Sequence, residues 1–159
     1  MSERILRNAR IVTADDCFVG TVLIRNGMVS EVASGDSACL GAEDLQGDYL
    51  MPGLVELHTD NLEKHMLPRP GVHWDPDSAT VVHDAQCASA GITTVLDAVM
   101  IGSRDQESVR ARMQETAITS MERCRDDGVL RVDHLLHLRC EVAAADILSV
   151  FERHVDRAD

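Results

Sequence analysis

The first fifty residues alternate apolar and polar positions in short runs. Ile5 to Val12 and Thr21 to Arg25 read as strands, and Asn26-Gly27 is a tight-turn dipeptide leading into Met28 to Val32. Ser34 to Gly47 is rich in Gly, Ser and acids and reads as loop, with Asp48 to Met51 as a connecting strand. The rhythm then changes. After Met51-Pro52-Gly53 comes a short apolar run, Leu54 to Leu57, of strand length. Asp77 or Ser78 caps a predicted helix to Ala90, with Ala79, Val82, Ala85 and Ser89 along one side and Gly91 ending it. Ile92 to Leu96 is almost continuously apolar and β-branched, the pattern of a strand covered on both faces in a parallel sheet. A long helix is predicted from about Asp105 to Asp127, with Val109, Met113, Ala117, Met121 and Cys124 along one side.

The last strand, Leu135 to Glu141, alternates, so that Leu136, Leu138 and Cys140 share one face while His137, Arg139 and Glu141 share the other. A final helix spans Asp146 to Arg157. The order predicts an α/β chain in two parts. Residues 1–50 form a small β-subdomain and residues 51–159 form three βα units with parallel strands.

Charge narrows the partners. The chain of 159 residues carries 15 basic and 27 acidic side chains, a formal net charge of −12. Such a surface repels nucleic acid and anionic membranes, and neither is expected as a partner. Aromatic residues make up 3% of the chain, too few for a base-stacking platform. Five cysteines without a C-x-x-C pair read as reduced, mostly buried thiols in a cytoplasmic protein. Neither a signal peptide nor a membrane span is legible.

The densest chemistry lies in Leu54 to Pro70, L-V-E-L-H-T-D-N-L-E-K-H-M-L-P-R-P. Continued strand alternation would put Glu56, His58 and Asp60 on one face, two carboxylates and an imidazole suited to a divalent metal. Lys64, His65, Arg69 and two prolines follow as a stiff cationic loop at the C-terminal end of the strand, where parallel α/β folds bind ligands. Lys64, Arg69, Arg104 and Arg139 are cationic side chains in or beside the predicted strand ends. His65 and His73 are loop histidines, and His83 on the first helix reads as structural. Asp97 reads either as an acceptor orienting His58 or as a helix cap.

Three blocks carry a resemblance: G-L-V-E-L-H-T-D-N-L-E-K-H-M-L-P-R-P-G-V-H-W, then A-S-A-G-I-T-T-V-L-D-A-V at Ala88 to Val99, then H-L-R-C-E at His137 to Glu141. In that order they resemble the phosphonate-pathway branch of the amidohydrolase superfamily. The resemblance implies the N-terminal part of a (β/α)8 metal-dependent hydrolase barrel preceded by a small β-sandwich subdomain. A whole barrel needs ~200 residues or more, so only its first three units fit here. It implies hydrolysis of a phosphoric anhydride in a small phosphorylated sugar, with release of pyrophosphate.

By the same resemblance His58, Asp60 and Glu141 are metal ligands, the metal is zinc or manganese, and Lys64, Arg69 and Arg139 contact substrate. His58-Thr59-Asp60 stands where most of the superfamily has His-x-His, a departure that the phosphonate branch shares. The general base is expected on a later strand, outside these residues, which are therefore expected to be inactive alone. Two other readings stay open: an amidohydrolase acting on a cyclic amide or N-acyl substrate, and a non-catalytic domain assembling with a partner. The apolar faces of an incomplete barrel and sandwich also allow a homo-oligomer.

Overall fold

The computed structural model describes residues 2–103 and 109–158. Two compact units divide the chain, Met1–Pro52 and Gly53–Asp159.

In the first unit β1 (Glu3–Val12), β2 (Cys17–Arg25) and β3 (Met28–Ser34) form an antiparallel meander. Two short strands, β4 (Glu43–Asp44) and β5 (Tyr49–Leu50), pair in parallel with β1. Asn26-Gly27 makes the β2–β3 turn, both residues at positive φ. The register of β1 slips between Leu6 and Ala9, and Asn8 within that bulge is held at φ 52° while its side chain donates to Asp44 at 2.9 Å. Leu6, Ala9, Ile11 and Val22 form the small core, and β3 is exposed along most of its length.

The second unit is a parallel sheet in the order β6 (Leu54–Thr59), β7 (Ile92–Ile101), β8 (Asp133–Cys140). Among the described residues four helices accompany it: α1 (Asn61–Met66), α2 (Pro76–Ser89), α3 (Val109–Asp126) and α4 (Ile147–His154), the last running into a 3-10 turn, Val155–Arg157. Asp75 caps α2 by accepting from Ser78 N at 2.9 Å, with Pro76 opening the helix, so the cap falls two or three residues earlier than the sequence predicts. Leu62, Met66, Ala79, Val99, Ala117, Ile118, Met121 and Leu136 pack the layer between sheet and helices. No described helix is long and apolar enough to cross a membrane.

Three sequence expectations change. Strand β7 runs on to Ile101, placing Asp97 in mid-strand rather than at its end. Lys64 and His65 lie on the short helix α1, and only Arg69 and the prolines remain in the loop. Of the five cysteines, Cys17, Cys39 and Cys140 are exposed and only Cys87 and Cys124 are buried. Arg104 lies outside the described residues.

Candidate functional site

The face of a strand on which a side chain sits follows its register, and the register of β6 is irregular. Glu56 pairs with Val95 but Thr59 pairs with Asp97, so β6 advances three residues while β7 advances two. That extra residue is a β-bulge. Val95 and Asp97 are both buried, on the side of β7 that meets the helices. Glu56 therefore shares the helix side, and its negative charge reaches Cys87 on α2. The expected row of Glu56, His58 and Asp60 on one face is broken at the bulge. Glu56 instead accepts the His58 backbone N–H at 3.0 Å and so braces it.

His58 and Asp60 stay together beyond the bulge, with His58 Nε2 3.7 Å from Asp60 Oδ1. Arg139 Nη1 donates to the same Asp60 oxygen at 2.6 Å, and the His137 ring meets the His58 ring edge-on at 5.0 Å between centroids. Both contacts reach from β6 to β8 over the middle strand. Ala98 makes this feasible: it pairs with His137, it follows directly on the Thr59–Asp97 pair, and it offers only a methyl group. Asp60 and Arg139 are each about one-third exposed, at 33% and 30%. His137 Nδ1 is buried with no hydrogen-bond partner among the described residues.

The other sequence-predicted residues lie around this group. Glu141 follows the end of β8, and its carboxylate accepts from Ala143 N at 3.4 Å. Lys64 donates to Asn61 Oδ1 at 3.0 Å, and Lys64 and Arg69 line one cavity together with His73. His65 bonds Gln86 at 2.9 Å.

Behind the sheet lies a polar network that the sequence reading missed as a group. His83 Nε2 donates to Asp97 Oδ1 at 2.7 Å and His134 Nδ1 donates to Asp97 Oδ2 at 2.6 Å, all three side chains nearly devoid of solvent contact. The other nitrogen of His134 lies 3.4 Å from Asp84 Oδ1, which also accepts from Arg131 N and Val132 N. Asp97 therefore orients these two histidines and neither His58 nor a helix end. Burial alone would raise the Asp97 carboxyl, but the hydrogen bonds from His134 and His83, with the charge of both rings, outweigh it and hold it below its ordinary range. Burial likewise opposes a charge on His134, and the bonds and charges of Asp97 and then Asp84 outweigh it and raise that imidazole. The Cys87 thiol is pushed up to about 11, first by burial and then by the negative charge of Asp97, Asp84 and Glu56. The signal for this network was an aspartate inside the apolar run Thr94 to Ile101, because a buried acid requires donors.

Two groups are thus candidates for a metal. Among the described residues, His83, Asp97 and His134 are a trio whose ligand atoms all lie within 4.8 Å of one another. Their direct contacts of 2.6–2.7 Å are those of shared protons. Two atoms bound tetrahedrally to one zinc at ~2.0–2.1 Å stand about 3.3 Å apart. The 3.7 Å between His58 and Asp60 is closer to that spacing, on a partly open surface beside the unpartnered His137 nitrogen. The exposed pair fits a catalytic metal better than the buried trio does.

No protein-family model matches the sequence. Alpha-D-ribose 1-methylphosphonate 5-triphosphate diphosphatase of Escherichia coli (strain K12) is 41% identical over 153 residues, 96% of this chain and 40% of that protein. Among solved structures, a D-hydantoinase aligns with 99% of the chain and 31% of its own length at TM-score 0.62 and 21% identity. N-isopropylammelide isopropylaminohydrolase from Burkholderia multivorans aligns with 99% of the chain and 43% of its own length at TM-score 0.64 and 17% identity. The chain thus spans less than half the length of each of these proteins. Its fold is the N-terminal part of the amidohydrolase fold, and its sequence resembles the phosphonate-pathway diphosphatase branch of that superfamily.

Proposed function

We propose that this chain contributes the first part of a metal-dependent hydrolase that converts α-D-ribose 1-methylphosphonate 5-triphosphate and water to the 5-phosphate and pyrophosphate. The observation that carries the reading is the 41% identity over nearly the whole chain to an enzyme named for that reaction. The five unpaired cysteines suit a reducing compartment, so we place the reaction in the cytoplasm.

His58 and Asp60 would hold the metal, zinc or manganese, with Glu141 as a further ligand from the end of β8. A bound divalent ion supplies Lewis-acid polarisation and a water acidified to near neutrality. The chain's own residues prepare for it. Glu56 braces the His58 backbone, and Arg139 fixes one Asp60 oxygen and offsets its charge. Lys64 and Arg69, with Arg139, would offset the phosphate charge on a chain that is otherwise strongly acidic. The bond broken joins the bridging oxygen of the leaving pyrophosphate to the α-phosphorus, and water replaces that oxygen.

The test offers the ribose triphosphate and a hydantoin to the whole hydrolase that contains this chain, loaded with zinc or manganese, with ion chromatography for pyrophosphate. Pyrophosphate release that disappears in His58→Ala supports the reading. Ring opening of the hydantoin with the triphosphate left intact overturns it in favour of amide hydrolysis.

A further inference from the structure

The turn after α1 borders an open cavity of about 410 Å³ whose lining includes Glu63, Lys64, Arg69 and His73 together with Pro68 and Pro70. Its walls are stiff. Leu67 N bonds Glu63 O at 2.9 Å, Val72 N bonds Arg69 O at 3.1 Å, and Trp74 N bonds Met66 O at 3.0 Å, while Gly71 turns the chain at φ 74°. The two prolines fix their own φ angles and restrict the residues before them. A cationic side chain mounted on such a turn loses little further backbone freedom on binding.

The charge pattern is unusual for this chain. Arg4, Arg7, Arg25, Arg123, Arg139 and Arg157 each pair with a carboxylate. Arg69 and His73 bond to no side chain among the described residues, and Lys64 uses one of its three donors on Asn61. Glu63 is the acid in the lining, and it is largely buried. On a chain of net charge −12, concentrating unneutralised donors around one concave site marks an anion site. The first residue of its lining, Glu63, follows Asp60 by three positions on the short helix that Asp60 precedes.

We propose that this cavity is the subsite for the terminal diphosphate of a polyphosphate ester, the part that leaves as pyrophosphate. Arg69 grips two oxygens through its planar fork, Lys64 acts as a compact point charge, and His73 donates an imidazole N–H. The assignment rests on the reading in the preceding section for its ligand and adds His73 to the binding residues.

The probe is inorganic pyrophosphate, titrated calorimetrically into the chain held metal-free with EDTA, so that the His58–Asp60 pair contributes no metal bridge. Parent protein binds, Arg69→Ala weakens binding at least tenfold, His73→Ala weakens it several-fold, and Arg69→Lys retains part of it. Arg25→Ala, in the other unit, binds like the parent, and circular dichroism verifies that each variant is folded. Absence of binding to the parent, equal binding by Arg69→Ala and His73→Ala, or equal loss in Arg25→Ala overturns the proposal. The two readings fail separately. Pyrophosphate binding that depends on Arg69, in a chain whose whole hydrolase leaves the triphosphate intact, keeps the subsite and removes the reaction. Triphosphate hydrolysis with undiminished pyrophosphate inhibition in Arg69→Ala keeps the reaction and removes the subsite.

Discussion

Replacing Asp97 by Asn tests the buried network directly. The side chain is 1% exposed and accepts from two imidazoles at 2.7 and 2.6 Å. A hydrogen bond to a charged group contributes about 1.5–3 kcal/mol. Asn keeps the size and one acceptor oxygen but turns an NH2 donor toward the other imidazole N–H. One bond is lost and the other becomes a neutral one, so the expected cost is about 2–4 kcal/mol. Asp97→Ala, which strands both rings, should cost about 3–5 kcal/mol.

The pH dependence supplies a second, independent test. Asp97 is depressed in the folded state, so its contribution is present above the unfolded carboxyl value and is lost as pH falls through the lower folded one. His134 is raised, so its contribution is complete below the unfolded imidazole value and is lost as pH rises through the higher folded one. Parent stability should therefore decline as pH rises above the ordinary imidazole value, and Asp97→Asn should flatten that decline. Urea unfolding followed through Trp74, the single tryptophan and a member of this unit, measures both effects. A loss below about 0.5 kcal/mol, the scale of an ordinary surface change, would refute the reasoning. So would a slope unchanged in the variant.

Elemental analysis of the purified chain should find zinc or manganese, and His58→Ala and Asp60→Ala should each lose it while keeping the parent's circular dichroism. Ala98→Leu should force apart the contacts that cross β7, costing about 1–3 kcal/mol in overpacking. Cobalt titration read by its visible absorption should show binding at least tenfold weaker in that variant; unchanged cobalt affinity would mean that Ala98 does not govern the contact. With a thiol reagent at pH 8, Cys17, Cys39 and Cys140 should react promptly and Cys87 only on unfolding, because its thiol is pushed up to about 11 and is buried. Rapid modification of Cys87 in the native chain would contradict that burial.

Much of the scaffold was legible because its signals are local. Asn26-Gly27 fixed a hairpin through its left-handed φ angles, and the β-branched run from Ile92 marked a parallel strand, although within Ile92 to Leu96 only Val95 is buried rather than both faces. The alternation of β8 put His137 and Arg139 on one face, where they meet His58 and Asp60. Helix α1 escaped because six residues, mostly polar and followed closely by two prolines, carry too few periods to be recognised. The likeness of the three motif blocks to a known family pointed to His58 and Asp60, but not to their surroundings.

Those surroundings depend on register, which is a property of two strands and is invisible in one. The bulge in β6 sends Glu56 toward the helices and leaves His58 and Asp60 on the opposite face. One added residue thus divides the acids of a single motif between two sites. Without it, continued alternation would place Glu56 beside His58 and Asp60, adding a second carboxylate to a surface with one arginine to offset it. With it, the Glu56 carboxylate holds the His58 backbone, and the exposed pair retains a single acid matched to Arg139. The same bulge brings Thr59 into register with Asp97, so that the strand leading into the exposed pair is pinned against the aspartate that two buried imidazoles share. Rigidity behind the sheet and a partly open His58–Asp60 pair in front of it are consequences of one irregularity.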